Sequence, residues 1–220
     1  AMDFHLAPHV SYGLVGRRAV MLDLLADRYL LLGPEVADVL TALGRCRSVF
    51  SVAVLEKLLA RGLLLPGPGA TVGPVGQPCP LGSALEADLS GGGVSAFEAL
   101  RRSIGALITM RALGLAPLIA RSRTVRARAA RRTELVEDPD RAAFFARGFA
   151  EARISVPMPR LCVPDSLALA GSLWARGLAA EVYFGVQLDP LLAHAWVQQG
   201  PLVLSDPLNI AADYRPVFRL

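Results

Sequence analysis

The chain has 220 residues, of which 53% are hydrophobic and 6% aromatic, and its formal net charge is +4. This apolar content is enough for a folded core and argues against a wholly disordered chain. The length allows one large domain or two small ones. The charge is uneven, because six of the 23 basic residues fall within Arg121–Arg132, so the chain carries a local basic patch and is not basic throughout.

The cysteine count and the hydropathy pattern indicate a cytoplasmic protein. Cys46, Cys79 and Cys162 form no even set for a disulfide framework and fit a reducing compartment. The apolar stretch 104–120 contains Arg111 and is shorter than the roughly 20 apolar residues of a membrane span. We therefore expect a buried amphipathic helix there, no secretion signal and no membrane partner.

The first third of the chain predicts three short strands. Val10, Tyr12 and Leu14 alternate with small or polar residues, as in a half-buried strand. Turns at Gly16-Arg17 and Ala26–Arg28 separate two further strands. These are predicted over Ala19–Leu24 and Tyr29–Leu32.

Two helices are predicted after these strands. Gly33-Pro34 is a typical helix start, because proline is pre-set for the first helical position. The apolar residues that follow recur on one helix face until Gly44 ends the pattern. Ser51 is predicted to cap a second helix, which Gly62 ends.

Three strands with small helices in about 60 residues are typical of a winged-helix-like domain, and three uses remain open. DNA binding would need several phosphate contacts, and the helices and turns offer only Arg45, Arg47, Lys57 and Arg61. Peptide capture is favoured, because the edge strand Tyr29–Leu32 could accept an extended peptide by strand addition. A purely structural role is the third interpretation.

The composition divides the rest of the chain into a linker and a second domain. Proline and glycine are frequent over residues 67–93 and no periodicity is visible, which indicates a linker. Residues 3–66 and 94–220 are then the two domains. Helical periodicity begins at Ser95. The basic run Arg121–Arg132 is interpreted as a solvated helix face, with docking of an acidic partner as the alternative. Asp138-Pro139 predicts another helix start.

The stretch 161–207 holds the candidate active site. Cys162 directly precedes a predicted helix that starts at Val163-Pro164, so its thiol would lie where a helix N-terminus favours an anion. Strands are predicted over 181–187, 193–199 and 202–205. If a three-residue loop, 199–201, joins the last two, His194 lies directly opposite Asp206, within reach of a hydrogen bond.

These residue types in this arrangement favour a thiol nucleophile with a His general base. A thiol near a protonated His at a helix start can have its pKa lowered from about 8.5 to between about 3.5 and 7.5. His194 is the only histidine outside the first nine residues, so no other histidine competes for this role. The alternatives are an inert buried Cys with a core His, and a zinc site of Cys162, His194 and Asp206, which no CxxC or HxxxH pair supports.

The segments LCVPDSLALAGSLWARG, EVYFGVQ, AHAWVQ and SDP, starting at residues 161, 181, 193 and 205, resemble the leader peptidase (B protein) of lasso-peptide biosynthesis. The AHAWV motif, with a Cys 32 residues upstream and an Asp 12 downstream, is the most specific element. The resemblance implies an α+β fold in which a PqqD-like, winged-helix-like domain over 3–66 is fused to a transglutaminase-like or papain-like cysteine peptidase domain over 94–220.

What the resemblance implies is cleavage of a lasso precursor peptide at its leader–core junction. Cys162 would be the nucleophile, His194 the general base and acid, and Asp206 the residue that orients His194. The expected partners are the precursor and an ATP-dependent macrolactam synthetase, without nucleic acid, cofactor or metal. The residues expected to bind the leader are Tyr29, Leu30, Leu31, Val54, Lys57, Leu58 and Arg61. A non-catalytic adaptor that presents the precursor to the synthetase is the alternative function.

Overall fold

The computed structural model describes residues 3–45, 51–86 and 90–220. These residues form a mixed α+β fold with ten strands, seven helices and three sheets. Two of the residues weighed above, Cys46 and Arg47, lie outside the described residues. The chain divides into two compact units, which we call the N-terminal unit (Ala1–Gly76, Gly185–Leu192 and Arg215–Phe218) and the C-terminal unit (Gln77–Phe184, Ala193–Tyr214 and Arg219–Leu220).

The N-terminal unit contains the three predicted strands and both predicted helices, and two further strands that were not predicted. Its elements in chain order are β1 (Phe4–Leu6), β2 (Val10–Val15), β3 (Arg18–Asp23), β4 (Arg28–Leu32), α1 (Pro34–Gly44), α2 (Val52–Ala60) and β5 (Leu64–Pro66). Strands β2, β3 and β4 form an antiparallel sheet with β4 at one edge, and β1 pairs with β5.

One face of the N-terminal sheet forms a core with the two helices of this unit. Tyr12 and Met21 are directly opposite each other in the β2–β3 pair, and both are fully buried. They join one apolar core with residues of α1 and α2, including Leu40 and Leu58. Helix α1 begins as predicted, with Gly33 as its N-cap and Pro34 as its first residue.

From residue 77 onward the chain forms five helices and a five-stranded sheet with strand order β10-β7-β8-β9-β6. The elements in chain order are β6 (Gly82–Ser83), α3 (Ala96–Leu113), α4 (Leu115–Arg132), α5 (Pro139–Ile154), α6 (Cys162–Trp174), β7 (Glu181–Gln187), β8 (Leu192–Gln199), β9 (Leu202–Val203), α7 (Leu208–Asp213) and β10 (Arg215–Arg219). Helix α6 is the most buried helix, and it packs against α3, α4 and α5.

Helix boundaries in this region follow local signals. Asp138 caps α5 by accepting a hydrogen bond from the Arg141 N–H, and Pro139 is the first helical residue, as predicted. After α6, the N–H groups of Gly177 and Leu178 donate to the carbonyls of Trp174 and Leu173. This is the Schellman arrangement, and the positive φ of 73° explains the glycine at its turn.

Two expectations about this region need correction. The apolar stretch 104–120 is not one helix, because Gly114, with φ of 88°, separates α3 from α4. The predicted linker contains a strand, since Gly82 and Ser83 pair in parallel with Leu202 and Val203. A two-residue strand has no periodicity to detect. Within the described ranges, no helix combines the length and the apolar character needed to cross a membrane.

Candidate active site

Cys162 is the first residue of α6, one position further into the helix than predicted. Leu161 is the N-cap, and its N–H donates to Asp165 Oδ2 at 3.2 Å, so a carboxylate on the first turn satisfies the start of the helix. The Cys162 side chain is exposed, and Cys162 forms no disulfide. Helix α6 thus presents an accessible thiol at its positive end, where an anion is stabilised.

A buried hydrogen bond joins the start of α6 to the strand that carries the histidine. Ser166, one turn after Cys162, is 3% exposed and donates from Oγ to the Ala195 carbonyl at 2.9 Å. Ala195 is the neighbour of His194 on β8. This bond fixes the distance between the thiol-bearing helix turn and the imidazole-bearing strand.

His194 is paired with Asp206 and supported by aromatic rings. Its Nε2 lies 2.8 Å from Asp206 Oδ1. The imidazole is stacked over Trp196 with ring centroids 6.4 Å apart, and the Tyr214 ring lies 5.2 Å away. With the side chains of both His194 and Asp206 less than one-fifth exposed, water competes weakly for their hydrogen bond.

Two serines hold Asp206 in place. The hydroxyl of Ser205 donates to the second carboxylate oxygen of Asp206 and accepts the Val197 N–H. The hydroxyl of Ser83 donates to the Asp206 carbonyl at 2.7 Å. The carboxylate is therefore held by Ser205, which is itself bonded to β8, and the Asp206 main chain is held by Ser83 of β6.

The predicted strand register that placed His194 opposite Asp206 is wrong by one residue. The structure pairs Gln198 with Val203 and Gln199 with Leu202, so the turn has two residues. In that register a continued strand would turn Asp206 to the other face of the sheet. Strand β9 ends at Val203 instead. The Val197 N–H then donates to the Ser205 hydroxyl and not to a backbone carbonyl, and this change in the path of the chain lets Asp206 reach the imidazole.

The site electrostatics favour a thiolate beside an imidazolium. Desolvation would raise the pKa of the Cys162 thiol, but the hydrogen bond to His194, the Ala195 N–H, the His194 charge and the Val163 N–H together lower it. For His194 desolvation acts in the opposite direction and would lower the pKa, but the hydrogen bonds to Asp206 and Cys162 and the charges of these two groups raise it to about 9. Each group stabilises the charged form of the other.

The segment leading into Cys162 is organised by Arg153 of α5, which sequence reasoning did not select. Its guanidinium is almost fully buried and forms a 2.8 Å ion pair from Nε to Asp165 Oδ1. Its other nitrogens donate to the carbonyls of Val156, Met158 and Pro159. The sequence signal was available, since Arg153 continues the buried stripe of α5 at a position that apolar residues normally occupy.

A cavity of about 350 Å³ lies beside the thiol. Its apolar lining consists of Leu85, Ala146, Phe149, Ala150, Leu161, Leu169, Ala195 and Leu204. Its polar lining consists of Arg153, Arg160, Cys162, Asp165, Ser166, His194, Ser205 and Asp206. All three predicted catalytic residues therefore face one cavity large enough for a side chain of a peptide substrate.

The residues predicted to bind a leader lie in the N-terminal unit. Tyr29, Leu30 and Leu31 are on β4, the edge strand of its sheet, and Leu31 is 46% exposed. Val54, Lys57 and Leu58 are on α2, and Arg61 is its C-cap. Leu58 is only 3% exposed and belongs to the core, so its side chain is not available at the surface. Leader binding by the others stays a prediction.

Ser83, Ser205 and Tyr214 were also not selected from the sequence. Ser205 is adjacent to Asp206, so its role could have been inferred from proximity alone. Ser83 and Tyr214 carry no local signal, because their positions depend on β6 pairing with β9 and on the turn that follows α7. In the described part of the chain, no group of three or more His, Cys, Asp or Glu side chains is arranged to hold a metal ion.

The fold and the site together define an α+β protein with a candidate thiol nucleophile at a helix start and a His–Asp pair on the adjoining sheet. Residues 105–219 match the family model of the transglutaminase-like superfamily. This match covers more than half of the chain, and the chain belongs to that superfamily. No curated protein and no solved structure matches it.

Proposed function

We propose that the chain is a cysteine endopeptidase whose catalytic residues are Cys162, His194 and Asp206. The observation that carries the proposal is that His194 bridges the exposed Cys162 thiol and the fixed Asp206 carboxylate beside a cavity. Membership in the transglutaminase-like superfamily is consistent with a cysteine peptidase-like fold.

The reaction follows from the protonation states. The Cys162 thiolate attacks the scissile carbonyl and forms a tetrahedral adduct. The His194 imidazolium protonates the leaving amine as the C–N bond breaks, which leaves a thioester on Cys162. Neutral His194 then takes a proton from water, and the hydroxide attacks the thioester. A carboxylic acid is released and loses its proton to water, and the protonated imidazole and the thiolate are restored.

Asp206 acts through His194. Its carboxylate, held by Ser205, accepts from Nε2 and keeps the other ring nitrogen directed at Cys162, while Ser83 holds the Asp206 main chain. The negative charge also stabilises the imidazolium, which is the proton donor for the leaving amine.

The substrate we propose is the precursor of a ribosomally made lasso peptide, cut at the leader–core junction before a partner synthetase closes the macrolactam. The proposal is supported by the AHAWV motif, whose His194 follows Cys162 by 32 residues in the sequence and precedes Asp206 by 12. It is also supported by the edge strand β4 in the N-terminal unit. The leader would add to β4 beside Tyr29, Leu30 and Leu31 and contact Val54, Lys57 and Arg61.

The test is cleavage of a precursor peptide by the purified protein, with and without the synthetase and ATP, followed by mass spectrometry. We expect release of the intact leader, and we expect Cys162→Ala to abolish it. Cys79→Ala is the matched control, because Cys79 is also exposed and unpaired but lies outside the cavity.

Two outcomes would contradict the proposal. Normal cleavage by the Cys162→Ala variant would show that the Cys162 thiol is not the nucleophile. Leader binding that iodoacetamide does not affect, with no cleavage even when the synthetase is present, would identify a non-catalytic adaptor.

A further inference from the structure

A groove lined with arginines lies between α3, α4 and α6, away from the candidate active site. It consists of two adjoining cavities of about 140 and 320 Å³ that share Arg102, Val125, Gly171 and Trp174 in their lining. We call it the arginine groove. None of its lining residues belongs to the cavity beside Cys162.

The walls of the arginine groove carry five guanidinium groups and no carboxylate. Arg101 and Arg102 stand on the α3 side, and Arg121, Arg128 and Arg132 stand on the α4 side. No Asp or Glu appears among the described lining residues. Positive charge therefore exceeds negative charge along the described lining of the groove.

Most of this charge is not used by the fold. Arg102 pairs with Glu98 and Arg121 donates to Thr109. In the described parts of the chain, Arg101, Arg128 and Arg132 form no ion pair or hydrogen bond. All three are exposed, so their guanidinium groups are accessible to an anionic ligand, which would offset the repulsion between these like charges.

Helix α6 forms the floor of the arginine groove, and Gly171 leaves space there because it has no side chain. A Cβ atom added at Gly171 would lie 3.3 Å from Arg102 Nη1, so a larger residue would crowd the groove. Trp174 contributes a wall that is itself 1% exposed. The groove thus has a shaped floor and charged sides, unlike a flat helix face.

The spacing of the arginines on α4 fits an extended polypeptide. Arg121, Arg128 and Arg132 lie on one side of the helix, and at 1.5 Å per residue they span about 16 Å. An extended chain covers this length with about five residues. Arg121 and Arg128 are about 10.5 Å apart along the helix, and Arg128 and Arg132 about 6 Å. Carboxylates three and then two residues apart in the extended chain would face successive guanidinium groups, each of which can form a two-pronged hydrogen bond.

We propose that the arginine groove is a docking site for an extended acidic segment of a partner protein. The inference goes beyond the proposed peptidase activity, because no residue of the groove takes part in the cleavage steps.

The lining favours a peptide over the other common polyanions. A single-stranded nucleic acid would be expected to stack its bases on exposed aromatic rings. Among the described lining residues the only aromatic side chain is Trp174, and it is buried. A free phosphate group would engage one or two neighbouring guanidinium groups and leave the remainder of the 16 Å row unused.

The experiment measures binding of fluorescein-labelled hexaglutamate to the full chain by fluorescence anisotropy at low and moderate salt. The test variant is Arg128→Glu with Arg132→Glu. The matched control is Arg111→Glu with Arg131→Glu, which changes the net charge equally at exposed arginines outside the groove lining. We expect at least about a tenfold loss of affinity in the test variant and less than about a twofold loss in the control.

Thermal melting by circular dichroism shows whether each variant is folded, and Arg128→Gln with Arg132→Gln replaces the test variant if it is not. Equal losses in both pairs would mean diffuse charge attraction and would overturn the proposal. Tighter binding of a labelled oligonucleotide, or of inorganic triphosphate, than of hexaglutamate would also overturn it. Binding of hexaglutamate does not depend on cleavage, so its outcome is separate from that of the peptidase test.

Discussion

Among single residues, Cys162 and His194 set the pH range in which the candidate site can act. The pKa of Cys162 lies below its usual 9.0 and that of His194 is raised to about 9. Both shifts favour the thiolate beside the imidazolium over the neutral pair, and the two groups titrate as one coupled system.

We predict a bell-shaped pH profile for cleavage. The rate falls at acid pH as Cys162 becomes protonated, and it falls again as the pH rises through about 9, because His194 loses the proton that the leaving amine needs. The check is the initial cleavage rate from pH 4 to pH 10, together with iodoacetamide labelling of Cys162 quantified at the peptide level. Labelling that begins only above pH 9 would contradict the ion pair.

Asp206→Asn tests what the carboxylate contributes. The substitution removes the negative charge that raises the pKa of His194, so the imidazolium, and with it the thiolate, becomes less stable. We expect the labelling curve of Cys162 to move to higher pH and kcat to fall on the order of 10²- to 10⁴-fold. Asp213→Asn, at an exposed position near the end of α7, should leave both measurements unchanged.

At the scale of elements, Arg153 joins α5, the segment 156–159 and the first turn of α6 through one guanidinium. A lysine keeps the charge but cannot make the forked set of hydrogen bonds. We therefore expect Arg153→Lys to lower kcat more than it changes KM, and to shift the pH dependence of Cys162 labelling, because the helix start is no longer held. Arg141→Lys, at an exposed position on α5, is the control. A stability loss with an unchanged labelling profile would reduce Arg153 to a purely structural residue.

Glu98 joins α3 to α6 and to Arg176, which follows α6, through the hydrogen bonds of one carboxylate. Both of its oxygens accept from Arg176, and one also accepts from Arg102 and Ser172. The hydrogen bond from Arg176 is the largest influence on the pKa of Glu98, which is lowered to about 2 against the opposing effect of burial.

Glu98→Gln should therefore cost about 1 to 3 kcal/mol of unfolding free energy, measured by urea denaturation at pH 7. Because the pKa of Glu98 is depressed, its contribution is complete above pH 4.5 and is lost as the pH falls through about 2. The wild-type and variant stabilities should then converge towards pH 2. A constant gap across this range would show that the carboxylate charge is not what stabilises the pair of helices. Glu56→Gln, at an exposed position on α2, is the control.

Elements with strong local signals could be predicted, and elements defined by tertiary contacts could not. Gly33-Pro34 and Asp138-Pro139 marked two helix starts correctly, because capping depends on neighbouring residues. The β8–β9 register failed by one residue, since it depends on the turn length and not on hydrophobic alternation. Strand β10 and helix α7 were also missed.

At the scale of the whole molecule, the sequence predicted which residues of the candidate site lie together, but it did not predict which contacts hold them in place. His194 on β8 and Asp206, which follows the end of β9, are close in the sequence and are brought together by one tight turn. The support from Ser83 comes from 123 residues away and requires the parallel pairing of two short strands, for which the sequence has no signal. Residues 105–219 belong to a superfamily that the motif order indicated, whereas the role of the N-terminal unit stays a prediction.

That role can be tested by separating recognition from chemistry. If the leader adds to β4, Leu31→Asp places a charge on the apolar edge strand that receives it, and Leu31 is exposed enough to change without disturbing the core. We expect KM for the full precursor to rise about tenfold with kcat unchanged, which is the signature of lost uniform binding. A short peptide that spans only the cleavage junction should be cut at the wild-type rate.

Leu25→Asp is the matched control, because Leu25 is 70% exposed but lies in the turn before β4. Equal effects of the two substitutions would point to a general effect of charge on the N-terminal unit. A fall in kcat for the short peptide in Leu31→Asp would contradict the separation of leader binding from catalysis. Separate recognition and catalysis are supported if KM rises only for the full precursor, which carries the leader, and only when the apolar side chain at position 31 is replaced.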